Sequence, residues 1–146
     1  MERTARMLCC SVISVAPGDS VLSACRLMRD KRVGCVLVVE GGTLAGIFTE
    51  RDLLTRVVPD ELPPAATPVS RVMTRDPQTV GVDEPVERVF ELLAARRFRH
   101  VPIVDGGRPV GMVSLSDFAG ILGEVFEEDA YLRYFADYCQ ARPKGR

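Results

Sequence analysis

Gly46-Ile47-Phe48-Thr49-Glu50-Arg51-Asp52 and Gly111-Met112-Val113-Ser114-Leu115-Ser116-Asp117 are two versions of one phrase, 65 residues apart. Each runs glycine, two apolar residues, a hydroxyl residue and then an aspartate three positions on. The same shift aligns the two halves of the chain without a gap. Arg6 falls on Arg71, Val15 on Val80, Val21 on Val86, Leu27 on Leu92, Val36 on Val101, Val39 on Val104 and Gly41-Gly42 on Gly106-Gly107. Self-similarity at a fixed period marks a duplicated structural unit, and it decides the fold before any single element does.

Both halves read in the same order. Short extended pieces at 13–15 and 78–80 lead to helix-start residues, Asp19-Ser20 and Asp83-Glu84-Pro85. Each is followed by apolar residues at helical spacing, Val21, Ala24, Cys25 and Met28 in one half and Val86, Val89, Phe90 and Leu93 in the other. Strands at 35–39 and 44–48 flank Gly41-Gly42, and strands at 100–104 and 109–113 flank Gly106-Gly107, which predicts two hairpins. A second helix is expected to begin at Thr49 and at Ser114. The result is α/β (α+β) architecture: two βαββα units that pack about an approximate two-fold axis, because one unit alone is too small to bury its own sheet. Residues 1–58 form the first unit, 59–68 a proline-rich linker, 69–126 the second unit, and 127–146 a C-terminal helix and tail. That last helix carries Tyr131, Tyr134, Phe135 and Tyr138 along one side.

Composition narrows the function. The chain has 146 residues, is 47% hydrophobic and 27% charged, and carries a formal net charge of −1, so no broad positive field favours nucleic acid or an acidic membrane. The apolar run at 36–39 is far too short to span a bilayer. Residues 7–16, after Arg3 and Arg6, imitate a short secretory signal, but 6–15 has a counterpart deep in the chain at 71–80, which favours a structural role and a cytoplasmic protein. Five cysteines, an odd number with no C-x-x-C pair, fit neither a disulfide framework nor a zinc site and read as small apolar residues. His100, the sole histidine, lies in an apolar strand, and no nucleophile elbow or phosphate-loop lysine motif accompanies it. The chain is therefore read as a binding protein and not an enzyme.

Both repeated phrases fit the G-h-h-[ST]-x-x-D motif, where h is apolar, and the chain resembles a tandem pair of cystathionine beta-synthase (CBS) domains over about residues 6 to 126. Val72-Met73-Thr74 and His100-Val101-Pro102-Ile103-Val104-Asp105 add to the likeness. The resemblance implies a regulatory module that holds an adenosyl compound in the cleft between its repeats, AMP, ADP, ATP or S-adenosylmethionine, and signals to a partner protein. It implies a homodimer as well. By resemblance Asp52 and Asp117 take the ribose, and Thr49 and Ser114 the phosphate. The adenine slots are Ser14 and Val15 with Cys35, Val36 and Leu37, and Thr79 and Val80 with His100, Val101 and Pro102. Arg51, Arg97 and Arg99 are candidates for further phosphate charge.

Physical chemistry supports the same residues independently. A hydroxyl at a helix start, with exposed N–H groups behind it, suits an anion, and a carboxylate one turn on accepts from a vicinal diol. The spacing also satisfies a capping box, in which hydroxyl and carboxylate only close the helix start. A ligand-free interaction scaffold is accordingly the alternative reading.

Overall fold

A computed structural model describes residues 4–8, 11–95 and 99–114. Arg97, Asp117 and the expected C-terminal helix lie outside these residues.

The first sheet is built from β1 (Ser14–Val15), β2 (Cys35–Glu40), β3 (Thr43–Thr49) and β4 (Thr74–Arg75), in that spatial order. The second contains β5 (Val80–Gly81), β6 (His100–Asp105) and β7 (Arg108–Ser114), again in order. In each sheet a parallel pair, β1 with β2 or β5 with β6, adjoins an antiparallel hairpin. The hairpin turns are glycine pairs with positive φ, 58° and 78° at Gly41-Gly42 and 57° and 82° at Gly106-Gly107, a conformation that side chains rarely adopt. Register shifts fall between Val38 and Val39 and between Ile103 and Val104, equivalent positions of the repeat.

Helix α1 (Val21–Lys31) begins at Ser20, whose hydroxyl accepts from Ser23 N at 3.1 Å. The linker meets two further first-turn N–H groups: Val21 donates to Thr67 O at 2.9 Å and Leu22 to Pro64 O at 3.0 Å. Proline-rich backbone that can form neither helix nor central strand thereby closes a helix start. Loss of the side-chain cap in Ser20→Ala is expected to cost about 1 kcal/mol in denaturant unfolding. Val21, Ala24 and Met28 are buried, whereas Cys25 is half-buried. Helix α3 (Val86–Ala95) buries Val89, Leu92 and Leu93, with Val86 and Phe90 packed at the edge of the same core.

The helix expected from Thr49 starts there but does not stay α-helical. One turn, α2 (Glu50–Asp52), passes into a π-helical turn over Leu53–Val57. The Thr55 hydroxyl donates to Arg51 O at 2.7 Å, so it competes for the carbonyl that the Thr55 N–H would take in an α-helix.

Each unit lends its leading segment to the other unit's core. The 3-10 turn Ala5–Leu8 packs Ala5 and Leu8 among Val80, Val89, Leu93 and Ile103 of the second unit. Ala5 N donates to Glu84 O at 2.8 Å and Arg6 N to Val82 O at 2.9 Å. Conversely, Val69, Val72 and Met73 are buried with Val21, Val36, Phe48 and Val57 of the first unit, and β4 pairs with β3. Cys35, Leu37 and Ile47 form a third apolar cluster with Val12, Val39, Leu44 and Met112, which joins the two sheets. Within it Cys35 Sγ lies 3.1 Å from Met112 Sδ.

Candidate functional site

The crossing of residues 69–78 builds a cleft. Its volume is about 460 Å³, within the range of small-molecule sites. Thr49, Arg51 and Asp52, at the end of β3 and the start of α2, line one side. Thr74, Asp76, Pro77 and Gln78, with Arg99 and His100 at the start of β6, line the other. The cleft thus joins the first unit's motif to the second unit's strand start.

Thr49 and Asp52 form the full capping box. Asp52 Oδ2 accepts from Thr49 N at 2.9 Å and from Thr49 Oγ1 at 3.1 Å, while Thr49 Oγ1 accepts from Asp52 N at 3.3 Å. Glu50 N donates to Gly34 O at 3.0 Å, so two first-turn N–H groups of α2 are already engaged. Positive charge at the cleft therefore comes mainly from side chains. Arg51 and Arg99 are both exposed, and neither is held in an ion pair among the described residues. Asp52 itself is only 5% exposed, and its Oδ1 lies 3.6 Å from Arg56 Nε.

The other expected residues that the structure describes lie outside this cleft. Val15 and Val36 belong to the first core and Val80 and Val101 to the second. Cys35 and Leu37 belong to the cluster between the sheets, and Pro102 is buried in β6. Ser14 is exposed, Thr79 and Ser114 are half-buried, and none of the three lines this cleft. The approach allowed by the motif glycine is made by the chain itself: a Cβ on Gly46 would stand 2.6 Å from Met73 Sδ and 2.7 Å from Thr74 O.

Sequence reasoning passed over Gly34, Thr55, Arg56 and 74–78, although Arg56 stands one turn beyond Asp52. It also passed over a consequence of Pro102. In the first unit Leu37 N donates to Ile13 O at 3.0 Å. The equivalent residues are Pro102 and Gln78, and proline has no N–H, so the Gln78 carbonyl at the cleft wall is relieved of that bond.

A shallower hollow of about 380 Å³ lies beside the cleft, lined in part by Cys25, Arg29, Arg32 and Glu50. Burial pushes the Cys25 thiol up, which keeps it protonated and weakly nucleophilic. Among the described residues no group of three His, Cys, Asp or Glu is placed to hold a metal, and no helix is long and apolar enough to cross a membrane.

Comparison with known proteins gives one family. The CBS domain model matches twice, over residues 7–59 and 69–124. CBS domain-containing protein CBSCBSPB2 of Arabidopsis thaliana is 35% identical over 117 residues, 79% of this chain but 22% of the relative, so the chain spans about a fifth of that protein's length. A putative signal-transduction protein with CBS domains from Burkholderia ambifaria superposes with a TM-score of 0.73 at 33% identity, covering 80% of this chain and 86% of that one. CBSX2, solved in complex with AMP, superposes with a TM-score of 0.74 over 84% of this chain and 98% of that one, with 23% identity. Duplicated motif, paired sheets and two family matches agree, and the chain belongs to the CBS domain family as a tandem pair of its repeats.

Proposed function

We propose that the chain is a regulatory module that holds an adenosyl compound in the cleft between its repeats and passes occupancy on to a partner protein. The observation that carries this reading is the composition of the cleft. Thr49, Arg51 and Asp52 come from one repeat and Thr74, Asp76, Pro77, Gln78, Arg99 and His100 from the other, so a ligand there touches both and biases their arrangement. Asp52 takes the ribose through Oδ1, since Oδ2 is committed to the cap. Arg51 and Arg99 face the phosphate, and the Gln78 carbonyl is an acceptor for an exocyclic amine. The AMP held by CBSX2 is the kind of ligand meant. A second site is proposed around Ser114 and Asp117 with Thr79, Val80, Val101 and Pro102, and the module is proposed to work as a cytoplasmic homodimer.

One observation favours the scaffold reading: the capping box is complete, so Thr49 and Asp52 already have a structural role without any ligand. A thermal-shift panel with AMP, ADP, ATP and S-adenosylmethionine separates the two. A ligand at one hundred times its dissociation constant stabilises by about 2.7 kcal/mol. The expected result is a clear upward shift with at least one compound, largely lost at the same concentration in Asp52→Ala. If none of the four shifts the wild-type melt, the scaffold reading stands instead.

A further inference from the structure

Arg56 holds two parts of the molecule at once. Its Nε faces Asp52 Oδ1 at 3.6 Å, while its Nη1 donates to Met73 O at 2.9 Å and to Val72 O at 3.3 Å. The side chain is half exposed, so the ion pair by itself adds little to global stability. Its importance lies in what it connects. Asp52 is the buried carboxylate of the cleft, and Val72 and Met73 stand immediately before β4, in the segment that crosses from one repeat to the other. That segment runs on into Thr74, Asp76, Pro77 and Gln78, the far wall of the cleft.

We propose that Arg56 is the positioning residue that transmits occupancy of the cleft to the crossing segment 69–75. The inference rests on the adenosyl reading of the same cleft. Oδ2 of Asp52 is taken by Thr49, so a ligand hydroxyl must use Oδ1, the oxygen that faces Arg56. At 3.6 Å the guanidinium makes no hydrogen bond to Oδ1, so the hydroxyl binds beside it and comes between the two groups. With the hydroxyl in place the carboxylate keeps its charge but orients the guanidinium less firmly, the long side chain gains rotamer freedom, and its hold on the Val72 and Met73 carbonyls loosens. The ligand's differential affinity for the clamped and loosened forms is then the coupling energy.

Amide hydrogen exchange of the peptide covering 69–75 tests this in the full chain. Without ligand, Asp52→Asn and Arg56→Met should each speed exchange there by roughly three-fold, the scale of a modest exposed pair, and the double variant should go no further than the faster single. Asparagine retains an oxygen for the cap, so the comparison does not depend on losing α2. Additive effects, or an Arg56→Met segment that exchanges like wild type, would overturn the proposal. With AMP raised until each protein's own melting curve shows saturation, exchange of 69–75 should rise in wild type and stay unchanged in Arg56→Met. A segment that responds to AMP equally in both proteins also overturns it. If AMP, ADP, ATP and S-adenosylmethionine all fail to bind the wild type, the adenosyl reading falls, and the ligand-free comparison still decides whether Arg56 couples Asp52 to the segment.

Discussion

Replacing Gly46 by valine is expected to cost about 3 kcal/mol or more, at the upper end of overpacking, and to lower the melting temperature by roughly 10 °C. A Cβ there would meet two obstacles of different kinds. Met73 Sδ, at 2.6 Å, ends a flexible side chain that can swing aside, but Thr74 O, at 2.7 Å, is backbone of the β3–β4 pair. Shortening Met73 in the same chain should therefore recover only part of the loss. Because β4 opens the segment that forms the far wall of the cleft, ligand affinity should fall with stability. A Gly46→Val protein that melts with the wild type would show that the β3–β4 contact is not as tight as described.

Phe48→Ala is expected to lose about 3–5 kcal/mol, since the ring is fully buried among Val21, Val36, Val57, Val69 and Met73. Against a total of roughly 5–15 kcal/mol for an ordinary domain, that is a large share of the stability. Urea unfolding should show the midpoint falling with little change in slope. Phe48 immediately precedes Thr49, so the same core that stabilises the first repeat also fixes the start of α2 at the cleft. Val113, its counterpart, is smaller, and its truncation should remove less.

Much of the fold was legible because the repeat is written into local chemistry. The glycine pairs adopt positive φ at both hairpins, the register shifts recur at equivalent positions, and Ser20 caps α1. The π-helical turn was not legible, because it accompanies one hydroxyl, that of Thr55, bonding back to a carbonyl. Leu92 was likewise passed over as a core residue. Helical spacing placed Phe90 on the apolar face, but the core reaches far enough around α3 to bury Leu92 as well.

At the cleft, the resemblance pointed to Thr49, Arg51 and Asp52 on one wall and to Arg99 and His100 on the other, but assigned His100 to the other repeat's slot, and the stretch from Thr74 to Gln78 was not read. Sequence pairs each motif with the strands nearest to it in the chain, whereas the 69–78 crossing sets the first motif against Arg99 and His100. Such a contact is long-range, and no local pattern of hydrophobic and polar residues encodes it. Pro102 carried a readable sign all the same, since a proline in the middle strand of a sheet must leave some carbonyl without its donor.

The reciprocal loan of leading segments also bears on how the duplication can be divided. A chain severed between 59 and 68 gives two pieces, each carrying the plug for the other's socket and lacking its own. Neither piece is a free-standing miniature of the whole.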